Sequence, residues 1–382
     1  MSDDEKFMKR AAALAKKGMG WVNPNPLVGA LIVNNGHIIG EGYHEFFGGP
    51  HAEVNAIGSV LPENKSLLAD STLYVTLEPC SHQGKTPPCT DLIVDKGIRH
   101  VVIGMTDPNP IVNGKGIKSL QAHGIAVEVG CLEKEIRTQN EIFVKYITTK
   151  LPFVVLKSAM TLDGKIATVT NASRWITGEP SRKLVHQMRQ QLSAVMVGVN
   201  TVKFDDPILN IRLNKITAQG WKNPLKIIVD THGRIPLEAK VLSNDPQLTV
   251  LATTALANTE KLKSIERLGA QVLLCPVKHN RVDLGFLMQS LGAMDIDSVM
   301  IEGGSTLAFS AFQEGIVDKV ISFIAPKILG GADAPTAVGG AGFEKMDEAI
   351  PLKNIRIKKI GQDVMIIGLI DFVHDHKVIY HS

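Results

Sequence analysis

The stretch His51-Ala52-Glu53, followed by Pro79-Cys80 and then by Cys89, determines the fold and chemistry expected of the first part of this chain. One imidazole and two thiols form a zinc ligand set, and Glu53 is a carboxylate that is not needed as a ligand. A structural zinc takes four protein ligands, whereas a catalytic zinc keeps three and leaves the fourth position to water. The sequence therefore predicts a catalytic zinc site with His51, Cys80 and Cys89 as ligands and Glu53 as the proton carrier.

The surroundings of these residues agree with that interpretation. Thr72–Thr76 has the composition of a strand that delivers Pro79-Cys80 to a loop. His51 begins an apolar-periodic segment, which predicts a helix whose N-terminus favours thiolate and carboxylate charge. The order H-x-E, then P-C and a second Cys, is typical of zinc-dependent base deaminases. The alternative is a surface His-x-Glu with two buried, reduced cysteines, and the remaining cysteines, Cys131 and Cys275, have no partner at metal spacing.

The spacing between the two cysteine ligands departs from the common deaminase pattern. The second ligand follows Cys80 after eight residues, 81–88, and not after two. Together with the segments 23–29, 42–44 and 78–89, this insert resembles the deaminase half of the bifunctional riboflavin-biosynthesis deaminase–reductases. The resemblance implies a cytidine-deaminase-like three-layer α/β/α domain, and it implies the substrate contacts Asn25, His44, Lys85, Asp107 and Asn109.

The second half of the chain carries a weaker signal of its own. Val299–Leu307 predicts a strand that runs into Gly303-Gly304 and then a helix, whose N-terminal N–H groups suit a phosphate. No G-x-G-x-x-G fingerprint occurs, which disfavours a Rossmann domain. The segments 156–165, 173–177 and 198–207 resemble the reductase half of the same family, which implies a dihydrofolate-reductase-like α/β domain with NADPH as hydride donor.

The resemblance also implies the contacts of this second domain. The implied dinucleotide contacts are Ala159, Trp175, Thr201, Asp205, Thr231, Gly304, Ser305 and Thr306. The implied substrate contacts are Ser173, Arg189, Leu209, Arg212 and Glu302, and an arginine suits the ribose phosphate of the substrate because its planar fork matches phosphate oxygens. For the proton donor of the reduction, the residues leave Lys157, Asp163 and Glu302 open.

Composition limits the class of protein. The chain has 382 residues with 44% hydrophobic and 21% charged residues and a net charge of +3, which fits two globular domains and shows no basic excess of the kind that nucleic-acid binding needs. The N-terminal residues 1–6 are not a signal peptide, and no apolar run approaches the ~20 residues of a membrane span. Four cysteines, two of them assigned to metal, predict a reducing cytoplasm.

The predicted organisation is a deaminase domain at 1–147, a linker at 148–152, a reductase domain at 153–372 and a tail at 373–382. Alternating strands and helices after one hairpin through Asn34-Asn35-Gly36 predict a mostly parallel first sheet with helices on both faces. One closing helix is expected over 132–146, and strands at 355–359 and 364–370 predict a final antiparallel hairpin. The three histidines of the tail are expected to be solvated and not to bind a second metal.

The predicted function has two steps on one small molecule. The first domain would remove the 2-amino group of 2,5-diamino-6-ribosylamino-4(3H)-pyrimidinone 5′-phosphate with zinc, and the second would reduce the ribosyl chain of the product to ribityl with NADPH. The alternative is a deaminase of a nucleic-acid base with an inactive fused domain, which predicts a C-x-x-C spacing and a basic stripe. The family resemblance also implies a homo-oligomer, with neither a nucleic acid nor a membrane as partner.

Overall fold

The computed structural model describes residues 2–81, 87–213 and 222–371, and the chain divides into two compact units, Met1–Lys150 and Leu151–Ser382. The last helix of the first unit runs through Thr149, so the predicted linker at 148–152 begins inside that helix. The predicted tail at 373–382, with its three histidines, lies outside the described residues. Within the described part of the chain, no helix is both long and apolar enough to cross a membrane.

The first unit contains five strands and six α-helices among the described residues. In chain order they are α1 (Asp3–Ala15), β1 (Gly29–Asn34), β2 (His37–Tyr43), α2 (Ala52–Gly58), β3 (Thr72–Leu77), α3 (Cys89–Asp95), β4 (His100–Met105), α4 (Lys115–Ala122), β5 (Ala126–Val129), α5 (Glu133–Gln139) and α6 (Glu141–Thr149). Short 3₁₀ helices lie at Lys16–Gly18 and Pro62–Asp70. Ser2 caps α1 through a reciprocal pair of hydrogen bonds with Glu5, which satisfies the first free N–H groups of the helix.

The sheet of the first unit has the order β2-β1-β3-β4-β5. The predicted hairpin between β1 and β2 is confirmed, with Asn35 and Gly36 both at positive φ in its turn. The prediction of a mostly parallel sheet is confirmed: β1 pairs antiparallel with both β2 and β3, and β3-β4 and β4-β5 are parallel, so β2, β3, β4 and β5 run in one direction and β1 runs in the other. Hydrophobic runs cannot reveal this direction, since a buried strand has the same composition in either orientation.

Helices cover both faces of this sheet, as the sequence predicts. A Cβ at Gly29 would lie 2.1 Å from the Ala11 carbonyl oxygen of α1, and one at Gly42 would lie 2.2 Å from the Ala56 nitrogen of α2. Gly42 pairs with Ala30, the neighbour of Gly29, so α1 and α2 pack against opposite faces. All six residues of β1 are buried in consequence, and the close approach requires glycine at both positions.

The predicted helix over 132–146 is in fact two helices, α5 and α6, with a break at Asn140. The buried Asn140 side chain accepts a hydrogen bond from the Leu27 N–H at 2.8 Å and donates one to the Leu27 carbonyl at 3.1 Å. These bonds tie the break to the segment before β1. An asparagine in a periodic apolar pattern does not reveal such a distant partner, and this explains why the sequence predicts one helix.

The second unit is built around a larger sheet. Its described elements are β6 (Phe153–Thr161), α7 (Glu179–Gln191), β7 (Ala194–Gly198), α8 (Val199–Asp205), β8 (Leu225–Val229), α9 (Lys240–Ser243), β9 (Thr249–Thr253), α10 (Thr259–Arg267), β10 (Gln271–Leu274), β11 (Val277–Lys278), β12 (Arg281–Val282), α11 (Leu284–Ala293), β13 (Ser298–Gly303), α12 (Ser305–Gln313), β14 (Lys319–Ala325), β15 (Leu352–Ile360) and β16 (Asp363–Ile370). Further 3₁₀ helices lie at Pro246–Leu248 and Met346–Glu348.

This sheet has the order β10-β9-β8-β7-β13-β6-β14-β16-β15. The strands from β10 to β14 in this order run parallel, and β16 and β15 add the predicted antiparallel hairpin at one edge. The carboxyl ends of β7, β8 and β13 therefore meet at one edge of the sheet. That edge is where ligands bind in open α/β sheets, because the loops after the strands converge there.

Candidate functional site

The three predicted zinc ligands of the first unit lie together. The His51 Nδ1 atom is 3.3 Å from the Cys89 Sγ atom and 3.5 Å from the Cys80 Sγ atom, and the three ligand atoms all lie within 4.8 Å of one another. Two ligand atoms at tetrahedral angles about one zinc, at 2.0–2.3 Å from it, are separated by about 3.6 Å. The donor set therefore fits zinc both in chemistry and in spacing.

Each of the three ligands lies at the end of a different helix or strand. His51 is the residue before α2, Cys80 lies in the loop after β3, and Cys89 is the first residue of α3. The Cys89 N–H, one of the free donors at the start of α3, points to the Cys80 sulfur at 3.4 Å. The Cys89 thiol bonds to Cys80, and this contact lowers the pKa of Cys80 and raises that of Cys89.

Glu53 lies in the first turn of α2 and is buried, with 3% of its surface exposed. Burial raises the pKa of its carboxyl group to about 7, and the nearby Cys80 charge acts in the same direction. A carboxyl group with this pKa is suited to accept and return a proton near neutral pH. The sequence placed Glu53 beside the metal ligands, and the structure brings it to the same end of the same helix as His51.

His44 and Asn25 form a buried pair near this cluster. The Asn25 Nδ2 atom lies 3.1 Å from His44 Nε2, and the His44 Nδ1 atom lies 3.0 Å from the Pro50 carbonyl oxygen. Because a carbonyl only accepts, Nδ1 carries the proton and Nε2 accepts from Asn25. Burial lowers the pKa of His44, which favours this neutral form. The His44 and His51 rings meet edge to face with 5.8 Å between their centroids.

Sequence reasoning missed the role of Glu78, the residue two before Cys80. Its buried carboxylate accepts four backbone N–H groups, from Asp107 at 3.1 Å, Gly114 at 2.9 Å, Gly116 at 2.9 Å and Ile117 at 3.3 Å. Glu78 thereby fastens the zinc-ligand loop to the loop after β4. That second loop contains the buried Asp107 and the half-buried Asn109, while Lys85 lies outside the described residues.

In the second unit, a cavity of about 730 Å³ opens at the carboxyl ends of the parallel strands. Its lining includes seven of the predicted contact residues, namely Ser173, Thr201, Asp205, Thr231, Gly304, Ser305 and Thr306. The Ser173 hydroxyl donates to the Asp205 carboxylate at 2.6 Å, which joins the loop before α7 to the end of α8. The sequence thus predicted residues from four separate loops that the fold brings into one cavity.

The turn after β13 presents the start of α12 to this cavity. Gly304 has φ = +95°, which a residue with a Cβ rarely adopts, and no side chain caps the first turn of the helix. The free N–H groups and the helix dipole favour an anion at this end. The residues Gly304–Thr306 therefore form a cradle suited to an anion, and their role as a phosphate site stays a prediction.

Arg189, Glu302 and Lys157 form a buried charged cluster. Arg189 donates to the Glu302 carboxylate through Nε at 2.5 Å and Nη2 at 2.9 Å, and the Lys157 Nζ atom lies 3.7 Å from the same carboxylate. Although burial opposes it, the charges of Arg189 and Lys157 lower the pKa of Glu302 to about 2. Burial lowers the pKa of Lys157. Arg189 also donates to the Asn210 carbonyl at 2.9 Å.

The other predicted residues of this domain lie around the cavity lining but are not part of it. Trp175 is 61% exposed and stacks under Arg182 at 4.5 Å, and Ala159 is half-buried in β6. Leu209 is buried with φ = +61°, whereas Arg212 is exposed and its N–H bonds to His186. The contacts assigned to these four residues stay predictions.

Asp163, one of the three open proton donors, has a structural role. Its carboxylate accepts the Thr161 hydroxyl at 2.6 Å and the Gly330 N–H at 2.6 Å, with a third bond from the Leu329 N–H at 3.1 Å. The Thr161 hydroxyl and the Gly330 amide hold the pKa of Asp163 at about 2. The carboxylate stabilises the turn after β6 and holds no proton at neutral pH.

Comparison with known protein families identifies both units. Residues 1–105 match the model of the cytidine and deoxycytidylate deaminase zinc-binding region, and residues 152–366 match that of the RibD C-terminal domain. The riboflavin biosynthesis protein RibD of Actinobacillus pleuropneumoniae is 47% identical over 363 residues, which cover 95% of this chain and 94% of that protein. The RibD protein of Escherichia coli K12 is 38% identical, with 94% and 98% coverage.

Solved structures agree over the same length. Acinetobacter baumannii RibD matches with a TM-score of 0.86 at 36% identity, covering 97% of this chain and 99% of that one. A diaminohydroxyphosphoribosylaminopyrimidine deaminase/5-amino-6-(5-phosphoribosylamino)uracil reductase from Thermotoga maritima matches with a TM-score of 0.82 at 38% identity and the same coverage. The chain therefore belongs to the RibD family of riboflavin biosynthesis, whose members join a zinc-binding deaminase domain to a reductase domain.

Proposed function

We propose that the first unit hydrolytically deaminates 2,5-diamino-6-ribosylamino-4(3H)-pyrimidinone 5′-phosphate, with zinc held by His51, Cys80 and Cys89. The observation that carries the proposal is the three-ligand cluster with the buried Glu53 carboxyl group next to it. Bound zinc would supply Lewis acidity and make water nucleophilic at neutral pH. Among the residues that the structure describes, the ligand cluster has three members, which supports a catalytic site because a structural site would use a fourth protein ligand.

Glu53 moves the protons of this reaction. Its carboxylate takes a proton from the attacking water and returns it to the ring nitrogen of the substrate. It then takes the proton of the hydroxyl group formed on the ring carbon and delivers it to the amino group, which leaves as ammonia while the carbonyl forms. The pKa of about 7 allows both directions at neutral pH, and the burial of Glu53 keeps bulk water from exchanging the proton during the transfer.

The amine and phosphate of this substrate need further contacts. Asn25 and His44 are proposed to bind the pyrimidine, because their mutual hydrogen bond fixes the orientation of both side chains. Asp107, Asn109 and Lys85 are proposed to bind the remaining polar groups. Glu78 supports these substrate contacts, since its carboxylate accepts the Asp107 N–H and so holds the loop of Asp107 in place relative to the zinc-ligand loop.

The second unit is proposed to reduce the ribosyl group of 5-amino-6-(5-phosphoribosylamino)uracil to ribityl, with NADPH bound in the 730 Å³ cavity. The proposed dinucleotide contacts are Thr201, Asp205, Thr231 and the turn at Gly304–Thr306, together with Ala159 and Trp175. The support is the helix start at Gly304, which provides N–H groups for a pyrophosphate. Ser173, Arg189, Leu209, Arg212 and Glu302 are the proposed substrate residues.

Lys157 is the proposed proton donor of the reduction. The carboxylate of Asp163 is occupied by three hydrogen bonds, and the pKa of about 2 keeps Glu302 ionised at neutral pH. Burial lowers the pKa of the Lys157 ammonium group, which makes it a better acid than an exposed lysine. Glu302, which is itself bonded to Arg189, holds Lys157 in position.

The same family membership supports a homo-oligomer and a cytoplasmic setting as further parts of the proposal, and all four cysteines are free, as a reducing compartment requires. The nucleic-acid alternative is not favoured, since the relatives that match over nearly the full length are riboflavin biosynthesis proteins.

The deaminase proposal is tested by the variant Glu53→Gln and its matched control Glu63→Gln, which changes an exposed carboxylate. Ammonia release from the diaminopyrimidine ribotide and zinc content by atomic emission are measured for both. Glu53→Gln is expected to keep its zinc and to lose at least a hundredfold in rate. General acid–base catalysis typically contributes about 10²–10⁴-fold to the rate of a reaction. Full activity of Glu53→Gln with bound zinc would refute the role of Glu53.

The reductase proposal is tested by Lys157→Gln, with NADPH oxidation measured on the deaminated ribotide. The rate is expected to fall at saturating substrate, while NADPH still binds, because the cofactor contacts are elsewhere. An unchanged turnover rate would contradict the assignment of Lys157.

A further inference from the structure

The positive charge of the reductase cavity lies on one side of it. His232 and Arg234 come from the loop after β8, and His279 and Arg281 come from the hairpin of β11 and β12, which follows β10. β8, β9 and β10 are neighbours at one end of the sheet order, so both segments lie on that side of the carboxyl edge. Among the described residues that line the cavity, Asp205 is the one carboxylate, and it bonds to Ser173.

Hydrogen bonds hold the backbone of the loop after β8, which carries Arg234. The buried Asp230 carboxylate accepts the Ile235 N–H through Oδ2 at 2.8 Å, and its Oδ1 atom lies 3.6 Å from the Arg234 Nε atom. Gly233 adopts φ = +63°, and the Thr254 hydroxyl donates to the Thr231 carbonyl at 2.8 Å. The turn is therefore closed by bonds at both ends, and its basic side chains project from a rigid frame.

The Arg234 guanidinium group keeps most of its hydrogen-bonding capacity. Its side chain is 50% exposed, and Asp230 faces only the Nε atom. In the part of the chain that the structure describes, neither of its Nη groups has a recorded hydrogen bond or ion pair. A guanidinium that lines a cavity and has free N–H groups is suited to bind a phosphate in a bidentate manner.

The hairpin that carries Arg281 is also held in place. The buried Glu314 carboxylate bonds to the Lys278 Nζ atom at 3.1 Å and accepts the N–H groups of Leu284 and Gly285 at 3.4 and 3.3 Å. These bonds join the hairpin to the start of α11. Arg281 itself is exposed at the rim of the cavity.

The distance between the two phosphate-binding regions fits one dinucleotide. The cradle at Gly304–Thr306 follows β13, and the loop of Arg234 follows β8, two strands away across β7. Two strand spacings amount to about 10 Å. In NADPH the adenosine ribose separates the pyrophosphate from the 2′-phosphate, so a pyrophosphate at the α12 N-terminus directs the 2′-phosphate toward the β8 side.

We propose that Arg234, together with Arg281 of the β11–β12 hairpin, binds the 2′-phosphate of NADPH and makes the second unit select NADPH over NADH. The inference rests on the proposed NADPH-dependent reduction and adds the residues that discriminate between the two dinucleotides. An arginine near the ribose is a known solution to 2′-phosphate recognition in dinucleotide folds of a different type. The other phosphate monoester available to this site is that of the substrate, and the experiment separates the two sources.

The test measures binding and not turnover. Dissociation constants of NADPH, NADH, 2′,5′-ADP and ribose 5-phosphate are determined by titration calorimetry for the full chain and for Arg234→Gln, Arg281→Gln and the control Lys263→Gln. Lys263 is an exposed cation on α10 that pairs with Glu260, so the control has the same charge change away from the cavity. The wild type and the control are expected to prefer NADPH.

In Arg234→Gln the dissociation constant of NADPH is expected to rise about ten- to a hundredfold, the range that corresponds to loss of one charged hydrogen-bonded contact. NADH binding should change by less than about twofold, and 2′,5′-ADP should lose affinity in parallel with NADPH. Arg281→Gln should shift NADPH in the same direction. Arg281 does not contact Asp230, so the effect of Arg281→Gln cannot come from a buried carboxylate that has lost its partner. The conservative variant Arg234→Lys should retain part of the preference for NADPH over NADH.

Three results would overturn the inference. The first is an unchanged preference for NADPH in both Arg234→Gln and Arg281→Gln. The second is equal binding of NADPH and NADH by the wild type. That result would contradict the selection of NADPH but not the proposed reductase function. The third is weaker binding of ribose 5-phosphate, but not of 2′,5′-ADP, in the variants, which would assign these arginines to the substrate. Failure of the wild type to bind either dinucleotide would instead refute the proposed reductase function as well.

Discussion

The variant Glu302→Gln tests the buried cluster on which the second active site is built. The substitution keeps the shape of the side chain and removes the negative charge between Arg189 and Lys157, whose side chains are 11% and 12% exposed. Removal of one partner of a buried ion pair leaves an uncompensated charge, which typically costs about 3–5 kcal/mol. At pH 7 the free energy of unfolding of the second unit should fall by this amount.

The pKa of Glu302 gives an independent magnitude and a pH window. Its fall from 4.5 to about 2 corresponds to about 3 kcal/mol, at about 1.36 kcal/mol per unit. Because the pKa in the folded state lies below that in the unfolded state, this stabilisation is complete above about pH 4.5 and is lost as the pH falls toward 2. At pH 3 the difference between wild type and Glu302→Gln should therefore be smaller by about 2 kcal/mol than at pH 7.

Hydrogen exchange followed by mass spectrometry, over a range of urea concentrations, measures this difference for each unit separately. Peptides from β6 and β13 report on the second unit, and peptides from β3 and β4 report on the first. The control Glu260→Gln removes an exposed carboxylate paired with Lys263 and should cost less than about 1 kcal/mol. A Glu302→Gln variant that matches the wild type in β13 at pH 7, or a difference that grows as the pH falls, would refute the reasoning.

Three other predictions concern the first unit. Glu78→Gln replaces an acceptor of four N–H groups by a side chain with one acceptor oxygen, so the amides of Gly114 and Gly116 should exchange at least tenfold faster; unchanged protection there would contradict the role of Glu78. Gly116→Ala places a Cβ 2.0 Å from the Pro79 carbonyl oxygen and should lower the melting temperature. In the control Gly58→Ala the new Cβ has nothing within 4 Å, so the melting temperature should stay equal or rise. Equal melting temperatures of the two variants would contradict the close packing at Gly116. Cys89→Ser should reduce the zinc content well below one per chain while the control Cys131→Ser keeps it, and full zinc in Cys89→Ser would exclude Cys89 as a ligand.

The local fold of the site could be predicted because each signal is short-range. Strand composition at Thr72–Thr76 and helix periodicity after His51 place two ligand-bearing loops, and the structure confirms both elements. The sequence also predicts a helix over Thr90–Lys96, and the structure has α3 at Cys89–Asp95, one residue earlier. Residue chemistry alone then limits three ligands of this kind to few metals.

The parts that could not be predicted depend on contacts between distant segments. Glu78 bonds to amides 29 to 39 residues further along the chain, and Asn140 bonds to Leu27 across 113 residues. The antiparallel pairing of β1 with β3 has the same origin. Of the two cavity arginines, Arg234 lies in a loop and Arg281 in a strand of two residues, and in neither place does periodicity or a local motif indicate a ligand.

The central claim is that one chain deaminates and then reduces the same phosphorylated pyrimidine. The most direct measurement incubates the wild-type chain and Glu53→Ala with the diaminopyrimidine ribotide, zinc and NADPH, and follows ammonia and the nicotinamide absorbance together. We expect the wild type to release ammonia before NADPH is oxidised, with equal final amounts of ammonia released and NADPH oxidised. Glu53→Ala should release no ammonia and should oxidise NADPH only when it is supplied with the deaminated ribotide. NADPH oxidation without ammonia release, or ammonia release that is never followed by NADPH oxidation, would contradict the central claim.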